Sequence, residues 1–295
     1  MAAGSEAGVE VVANDQIASE YFSMRLAGPA RLARFRPGQF LMLGWTDGRD
    51  PLLSRAMSIR GAKACPRESG GARCEVEILY KVCGRGTALL AAMRPGRSLR
   101  ALGPLGNGFE VPRSATEVFL VAGGIGVPPI AALAERLATR RASRGTKITV
   151  FLGGRSKADL LCIVDLKRVR AKIHVATEDG SAGHKGLVTE LLEQHLCSLY
   201  LVPRTKSPCS PLYERGVGGI YACGPHPMLA ALAPIAEKYG VPYQASLEAG
   251  MACGFGACMG CVVPVKETGR DQTYRLVCKD GPVFDGQDIL WAHQR

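Results

Sequence analysis

Three blocks of different pattern predict a multi-domain chain of β plus α/β class: a small antiparallel β-barrel, a parallel α/β domain and a short cysteine-rich module. Residues 8–112 break into short segments of alternating or β-branched character, separated by Gly, Pro, Asn and Asp. Residues 113–244 alternate buried-strand runs with helical patterns, which indicates right-handed crossovers and a parallel sheet. Residues 245–295 carry few helical signals and four cysteines. Such a segment buries little core alone, and a bound metal centre can take the place of that burial. At roughly 150 residues per domain, 295 residues accommodate about two full domains, so the third block is a module rather than a domain of ordinary size.

Within the first block, strands are expected over Val9–Val12, Tyr21–Leu26, Phe40–Gly44, Ser54–Ile59, Glu75–Tyr80 and Ser98–Leu102, with Gly61–Arg73 as a long hairpin loop. In the second block the expected order is strand Glu117–Ala122, helix Pro129–Arg140, strand Lys147–Leu152, helix Lys157–Lys167 and strand Lys172–Ala176. It continues with helix Gly186–Leu196, strand Gly219–Ala222 and helix Pro227–Tyr239. Ser198–Gly218 holds three prolines and no period, and is expected as a surface insertion.

Composition narrows the function classes. Hydrophobic residues at 47% and charged residues at 21% match folded globular chains, which excludes wholesale disorder. No apolar run reaches the length of a membrane-spanning helix. Met1–Asn14 lacks a basic start and an apolar core, so it does not read as a secretory signal, and the expected compartment is the cytoplasm. The net charge of +11 is carried by scattered arginines such as Arg34, Arg94 and Arg113, not by a basic run, so solvated charge is expected and no nucleic-acid partner. Eleven cysteines, an odd number in a large chain without an export signal, point to thiols or metal ligands instead of disulfides.

The cysteines that cluster are Cys253, Cys258, Cys261 and Cys278, in the order C-x4-C-x2-C…C. This is the plant-type spacing for a [2Fe–2S] cluster on four thiolates. Gly254, Gly256 and Gly260 between them permit positive φ, so that the backbone can wrap a cluster and aim N–H groups at sulfur. Structural zinc, the competing reading, usually pairs two C-x2-C knuckles, and here only Cys258 and Cys261 have that spacing. The other seven cysteines show no ligand spacing.

Two strand–turn–helix signals lie in the second block. Gly123-Gly124-Ile125-Gly126-Val127-Pro128-Pro129 follows a strand and would let a pyrophosphate approach a helix N-terminus. It lacks the usual third glycine, so a turn without ligand competes with that reading. Cys223-Gly224-Pro225-His226-Pro227-Met228 repeats the arrangement, and in one parallel sheet both turns would lie at the carboxyl edge. In the first block Arg55-Ala56-Met57-Ser58 offers a guanidinium for phosphate and a hydroxyl for a flavin ring edge. Leu79-Tyr80-Lys81 with Gly86-Thr87 is a second candidate, a strand followed by a turn with free backbone donors. Arg155-Ser156 follow the second strand of the α/β block, where a 2′-phosphate could be held, and no acidic residue is expected at that end. His174, His184, His195 and His293 have no partner pattern and are expected as surface residues.

Together these motifs resemble the ferredoxin–NADP reductase superfamily with a cluster module appended, and more closely the electron-transfer subunits of type B, NAD-linked dihydroorotate dehydrogenase. The resemblance runs over nearly the whole chain and is most specific in Gly103–Phe109 and the cysteine run. Ala56 stands where that family usually has proline, and Gly61–Arg73 and Ser198–Gly218 are longer than usual. The resemblance implies a Greek-key barrel that binds FAD through Arg55, Ala56, Met57, Ser58, Leu79, Tyr80, Lys81, Gly86 and Thr87. It implies a Rossmann-like domain that takes NAD at Gly124, Gly126, Pro129, Gly224, Pro225 and Met228, with Cys223 as the catalytic residue there. Cys253, Cys258, Cys261 and Cys278 would ligate the cluster. The implied partner is an FMN-containing dihydroorotate dehydrogenase catalytic subunit, two of each subunit forming a heterotetramer for pyrimidine biosynthesis, without membrane. The subunit of an NAD(P)H:ferredoxin or sulfide/sulfite-type oxidoreductase, or a redox sensor without turnover, would be built on the same parts.

Overall fold

A computed structural model describes residues 6–46, 51–65, 73–141, 145–200, 211–267 and 270–293. The chain forms two compact units. One comprises Met1–Gly108, Ala249–Val262 and Arg275–Pro282, and the other Phe109–Glu248, Val263–Tyr274 and Val283–Arg295. The cysteine-rich block is thus shared between them.

The first unit is built on a closed antiparallel barrel. Its strands are β1 (Glu6–Ala18), β2 (Tyr21–Pro29), β3 (Phe40–Trp45), β4 (Arg55–Ala64), β5 (Arg73–Lys81) and β6 (Ser98–Leu105), in the order β1-β2-β5-β4-β3-β6. All six expected strands form. The period of two is clearest in β6, where Leu99, Ala101 and Leu105 point inward. Val11, Met24, Leu26, Leu41, Leu43, Ile59, Val76 and Ile78 fill the barrel and exclude water from it. Of the expected loop Gly61–Arg73, β4 takes the first residues and 66–72 lie outside the described residues.

The second unit is a seven-stranded sheet flanked by helices. It contains β7 (Glu117–Gly123), α2 (Val127–Arg141), β8 (Lys147–Gly154), α3 (Ile163–Arg168), β9 (Lys172–Thr177), β10 (His184–Lys185) and α4 (Val188–Tyr200). These are followed by β11 (Val217–Cys223), α5 (His226–Lys238), β12 (Tyr243–Ser246) and, after the hairpin β13 (Val262–Glu267) and β14 (Arg270–Leu276), by β15 (Val283–Asp285). The sheet order is β10-β9-β8-β7-β11-β12-β15, parallel except at β15. β7 and β11 are buried along their whole length, as continuous apolar strands covered on both faces must be.

Two expectations are corrected here. The helix expected over Lys157–Lys167 is a 3-10 turn at Lys157–Asp159 and a separate α3, because Leu160 leaves helical geometry and Cys162 takes a left-handed φ of 60 that no α-helix continues. In the expected insertion Ser198–Gly218, α4 runs on to Tyr200 and a 3-10 turn covers Leu212–Arg215, while 201–210 lie outside the described residues. Among the described residues no helix is long and apolar enough to cross a membrane.

Candidate functional site

In the barrel unit, Arg55 opens β4 and Gly86 lies in the first turn of the short helix α1 (Arg85–Ala91). A Cβ on Gly86 would strike the Arg55 guanidinium. The two candidates, 31 residues apart in sequence, are therefore in contact. The guanidinium also donates to Leu53 O at 2.7 Å and lies 5.8 Å from the Trp45 ring centroid. The first amides of a helix have no intrahelical acceptor. A guanidinium laid beside them is a donor set for a pyrophosphate, and this is the observation on which the barrel suits FAD. Trp45 was invisible to motif reasoning, and its only signal was that it is one of two tryptophans.

Other predicted flavin residues have different settings. Ser58 pairs with Phe40 and Ala56 with Met42 across β3 and β4, Ala56 being exposed and Ser58 half-buried. Met57 and Tyr80 are side chains of the barrel core, and Leu79 is buried too. Tyr80 donates to Asn14 Oδ1 at 2.9 Å and stacks on Phe22, and burial pushes its phenol up to about 12. The Thr87 hydroxyl accepts from the Cys83 and Gly84 amides, closing the turn that was expected to present free donors. Lys81 pairs with Glu20 at 3.6 Å and lies over Tyr21.

The cysteine loop belongs to the same unit and rests on the barrel. Gly254 has φ +81, and a Cβ there would strike Met42 of β3. Gly256 has φ +91. Gly260 does not take a positive φ, which falls instead on Met259 at +57. A Cβ on Gly260 would sit 3.6 Å from Cys258 Sγ, an ordinary contact, so nothing in the loop's geometry demands glycine there. The segment carrying Cys278 is held by the Gly103–Phe109 motif. Asn107 N donates to Gly281 O at 2.5 Å and its side chain to Asp280 O at 2.8 Å, while Asp280 accepts from Leu276 N at 2.7 Å.

The four thiols fall into two pairs. Cys253 hydrogen-bonds with Cys258, and Cys278 donates its amide to Cys261 Sγ at 3.4 Å, the Cys261 and Cys278 side chains being bonded as well. Burial alone would raise the Cys253 thiol, but amides of Phe255, Cys258 and Ala257 and the Cys258 side chain outweigh it and bring it down to about 6. Burial first, and then Cys261, push Cys278 up to about 12. Among the described residues no three metal-binding side chains gather as one ion would require. The C-x4-C-x2-C…C spacing of these thiols suits a two-iron centre, which takes two thiolates on each iron, better than one tetrahedral zinc.

In the α/β unit the two glycine turns meet. β7 and β11 are neighbours, with Ala122 opposite Cys223. A Cβ on Gly126 would strike the Cys223 carbonyl, and one on Gly123 would meet Met228 Sδ and Pro225 Cδ at 2.8 Å. Gly224 has φ +157 and packs on Gly123. Gly124 takes φ +50 in the turn, and Pro129 stands in the first turn of α2, where a missing N–H is harmless. Cys223 is buried opposite Ser246 of β12. Burial, and next the Glu248 carboxylate, push its thiol far up, which favours the neutral thiol. His174 and His195 are not surface residues. His174 stacks on Phe151 and His195 meets Phe119 and Phe151 edge-on, and burial drives His195 down to about 4.

Comparison with known proteins agrees with this geometry. The iron–sulfur cluster binding domain of dihydroorotate dehydrogenase B matches residues 248–290, and the oxidoreductase NAD-binding domain matches residues 120–233. The chain is 34% identical over 284 residues to the dihydroorotate dehydrogenase B (NAD(+)), electron transfer subunit, of Desulforamulus reducens, covering 96% of this chain and 97% of that one. It is 36% identical over 277 residues to the subunit of the same name from Bacillus caldolyticus, covering 93% and 94%. A solved chain from an NADH-dependent reduced ferredoxin–NADP oxidoreductase is 27% identical, with a TM-score of 0.73 over 96% of this chain and 90% of that one. The ferredoxin reductase of carbazole 1,9a-dioxygenase, 23% identical with a TM-score of 0.62 over 81% and 67%, shares the fold. With relatives at this identity along almost its full length, the chain belongs to the family of dihydroorotate dehydrogenase B (NAD(+)) electron transfer subunits.

Proposed function

We propose that this chain carries electrons from the FMN of a dihydroorotate dehydrogenase catalytic subunit to NAD⁺, in pyrimidine biosynthesis in the cytoplasm. The observation that carries the reading is the cysteine loop, four thiols in two pairs, seated by Gly254 on strand β3 of a barrel that also presents the Arg55–Gly86 contact. Bound FAD and [2Fe–2S] together supply the exchange between single electrons and a hydride. Cys253, Cys258, Cys261 and Cys278 hold the cluster. Arg55 and the first turn of α1 hold the pyrophosphate, and Ala56, Ser58 and Lys81 with the backbone of Met57, Leu79, Tyr80 and Thr87 line the flavin. Gly124, Gly126, Pro129, Gly224, Pro225 and Met228 shape the nicotinamide site. Cys223, at the end of β11 beside these turns, is the catalytic residue of that site and acts there as a neutral thiol. The division of labour follows residues 8–112 for FAD, 113–244 for NAD and 245–295 for the cluster.

The catalytic partner docks at the cysteine loop, where Phe255, Met259 and Val262 expose 55%, 60% and 46% of their surface around the exposed Cys258. Electrons that enter singly need a short path, which favours this apolar rim as the contact, with two copies of each subunit in the assembly. Extraction of flavin, iron and sulfide from purified protein tests the reading, with one FAD and two irons expected per chain. FMN in place of FAD, or zinc alone, would sink it. The likeness to the NADH-dependent ferredoxin–NADP oxidoreductase favours a second reading, in which ferredoxin is the partner. Co-purification from the native cell separates the two by the protein that comes down with this chain.

A further inference from the structure

The carboxyl ends of β8 and β9 form a corner whose chemistry differs from what the sequence order suggests. Gly154 pairs with Thr177 across these strands, so the residues after each strand become neighbours. Glu178 N donates to Gly154 O and Asp179 N to Arg155 O, both at 3.1 Å. Two acidic residues thus flank Arg155-Ser156, where the linear sequence puts none.

A 2′-phosphate at such a turn is held by cations, and free backbone amides strengthen the site where they exist. Here the amides are occupied. Ser156 N donates to Asp159 Oδ2 at 3.1 Å, Lys157 N to Ser181 Oγ at 2.8 Å and Ala158 N to Ser156 Oγ at 3.3 Å. Ser181 is itself fixed, its hydroxyl donating to Asp179 Oδ1 at 2.6 Å and its amide to the same oxygen at 2.8 Å. Those two bonds hold the Asp179 carboxyl below the ordinary carboxylate range and engage it inside its own loop. Glu178 differs. Its side chain is exposed, and among the described residues its carboxylate has no recorded partner. Its backbone is anchored to β8, so the carboxylate is an acceptor carried on a fixed stem.

Resting on the reading of this unit as the NAD site, we infer that Glu178 sets the coenzyme preference, accepting from the ribose 2′-hydroxyl of the adenosine half of NAD and repelling a 2′-phosphate. A hydroxyl needs an acceptor, which Glu178 provides, whereas a 2′-phosphate would find closed amides and a carboxylate, with only the side chains of Arg155 and Lys157 in its favour. Arg155 is therefore a source of residual NADP binding, not the determinant of preference.

The test uses the FAD- and cluster-loaded protein. Binding of ADP-ribose and of 2′-phospho-ADP-ribose is measured by calorimetry, beside NADH and NADPH kinetics with ferricyanide. In Glu178→Gln the ratio of ADP-ribose to 2′-phospho-ADP-ribose affinity should fall by about tenfold or more. The NADH effect should appear in KM with kcat unchanged, and Glu178→Asp should keep the wild-type preference. Arg155→Ala should weaken 2′-phospho-ADP-ribose and leave ADP-ribose unchanged. A ratio unmoved by Glu178→Gln overturns the inference while the wild-type NADH activity leaves the proposed function standing. Wild-type protein with no NADH activity and no ADP-ribose binding overturns both.

Discussion

At the scale of single residues, the barrel site turns on the contact between Arg55 and Gly86. The atoms that a Cβ on Gly86 would strike are the far end of a flexible side chain, so Gly86→Ala moves the guanidinium and spares the fold. The expected outcome is an unchanged melting temperature for the flavin-free protein, within about 3 °C, with FAD affinity lowered roughly tenfold by loss of a charge-assisted contact. Fluorescence titration of the flavin-free protein reads this, and undiminished FAD affinity would remove Arg55 from the pyrophosphate site. Cys258→Ser probes the other centre. A serine hydroxyl is a poorer ligand for iron than thiolate, so the cluster should be lost or displaced in potential. FAD should stay bound and NADH should still reduce it, because the barrel and the sheet have their own cores. Full coupled turnover in this variant, measured with the catalytic partner, would show that Cys258 is not a ligand.

At the scale of elements, the buried imidazoles of the α/β unit make its stability depend on pH. His195 of α4 packs edge-on to Phe119 and Phe151, with its ring 5.2 Å from that of His174 on β9. Burial, then His174 and Lys172, and after them Lys147 lower its pKa to about 4, with Glu117 opposing. The folded value lies below the ordinary 6.5, so the unfolded chain binds the proton more readily. The contribution is therefore full above about pH 6.5 and is lost as pH falls from there towards 4, by roughly 3 kcal/mol at most. His195→Phe should flatten thermal stability across this range, followed by circular dichroism at pH 7, 6 and 5. An unaltered slope would mean that other groups govern acid lability. These histidines also show where the sequence was opaque. They are spaced 21 residues apart on different elements, and only the packing of α4 on the sheet joins them. The barrel strands were legible because each alternates apolar and polar residues, and β7, α2, β11 and α5 because glycine turns punctuate continuous apolar runs. β12 and β15 were not, since segments of four and three residues are too short to show a period. The cysteine spacing pointed to the proposed ligand set, whereas the Glu178–Arg155 neighbourhood needed the register of β8 and β9.

At the scale of the whole molecule, the proposed sites serve hydride exchange and a one-electron relay, and among the described residues no residue set is assigned to remove a proton from carbon. Burial favours the neutral form of Cys223, and His174 and His195 pack against aromatic rings. The purified chain alone should therefore oxidise NADH with ferricyanide at rates typical of a flavin reductase and convert no dihydroorotate. Mixing with the FMN-containing catalytic subunit should restore dihydroorotate-dependent reduction of NAD⁺. That coupled rate should saturate when the subunits are present in equal numbers, as the proposed assembly of two copies of each would require. Replacing the exposed Met259 by Glu should weaken the coupled rate at low subunit concentration and recover it at high concentration. NADH oxidation by ferricyanide should stay unchanged, because a charge on the docking rim opposes association without touching the NAD turns. Orotate formed by the isolated chain would contradict the division of labour between subunits. Coupled turnover indifferent to Met259→Glu at every concentration would place the partner on another face.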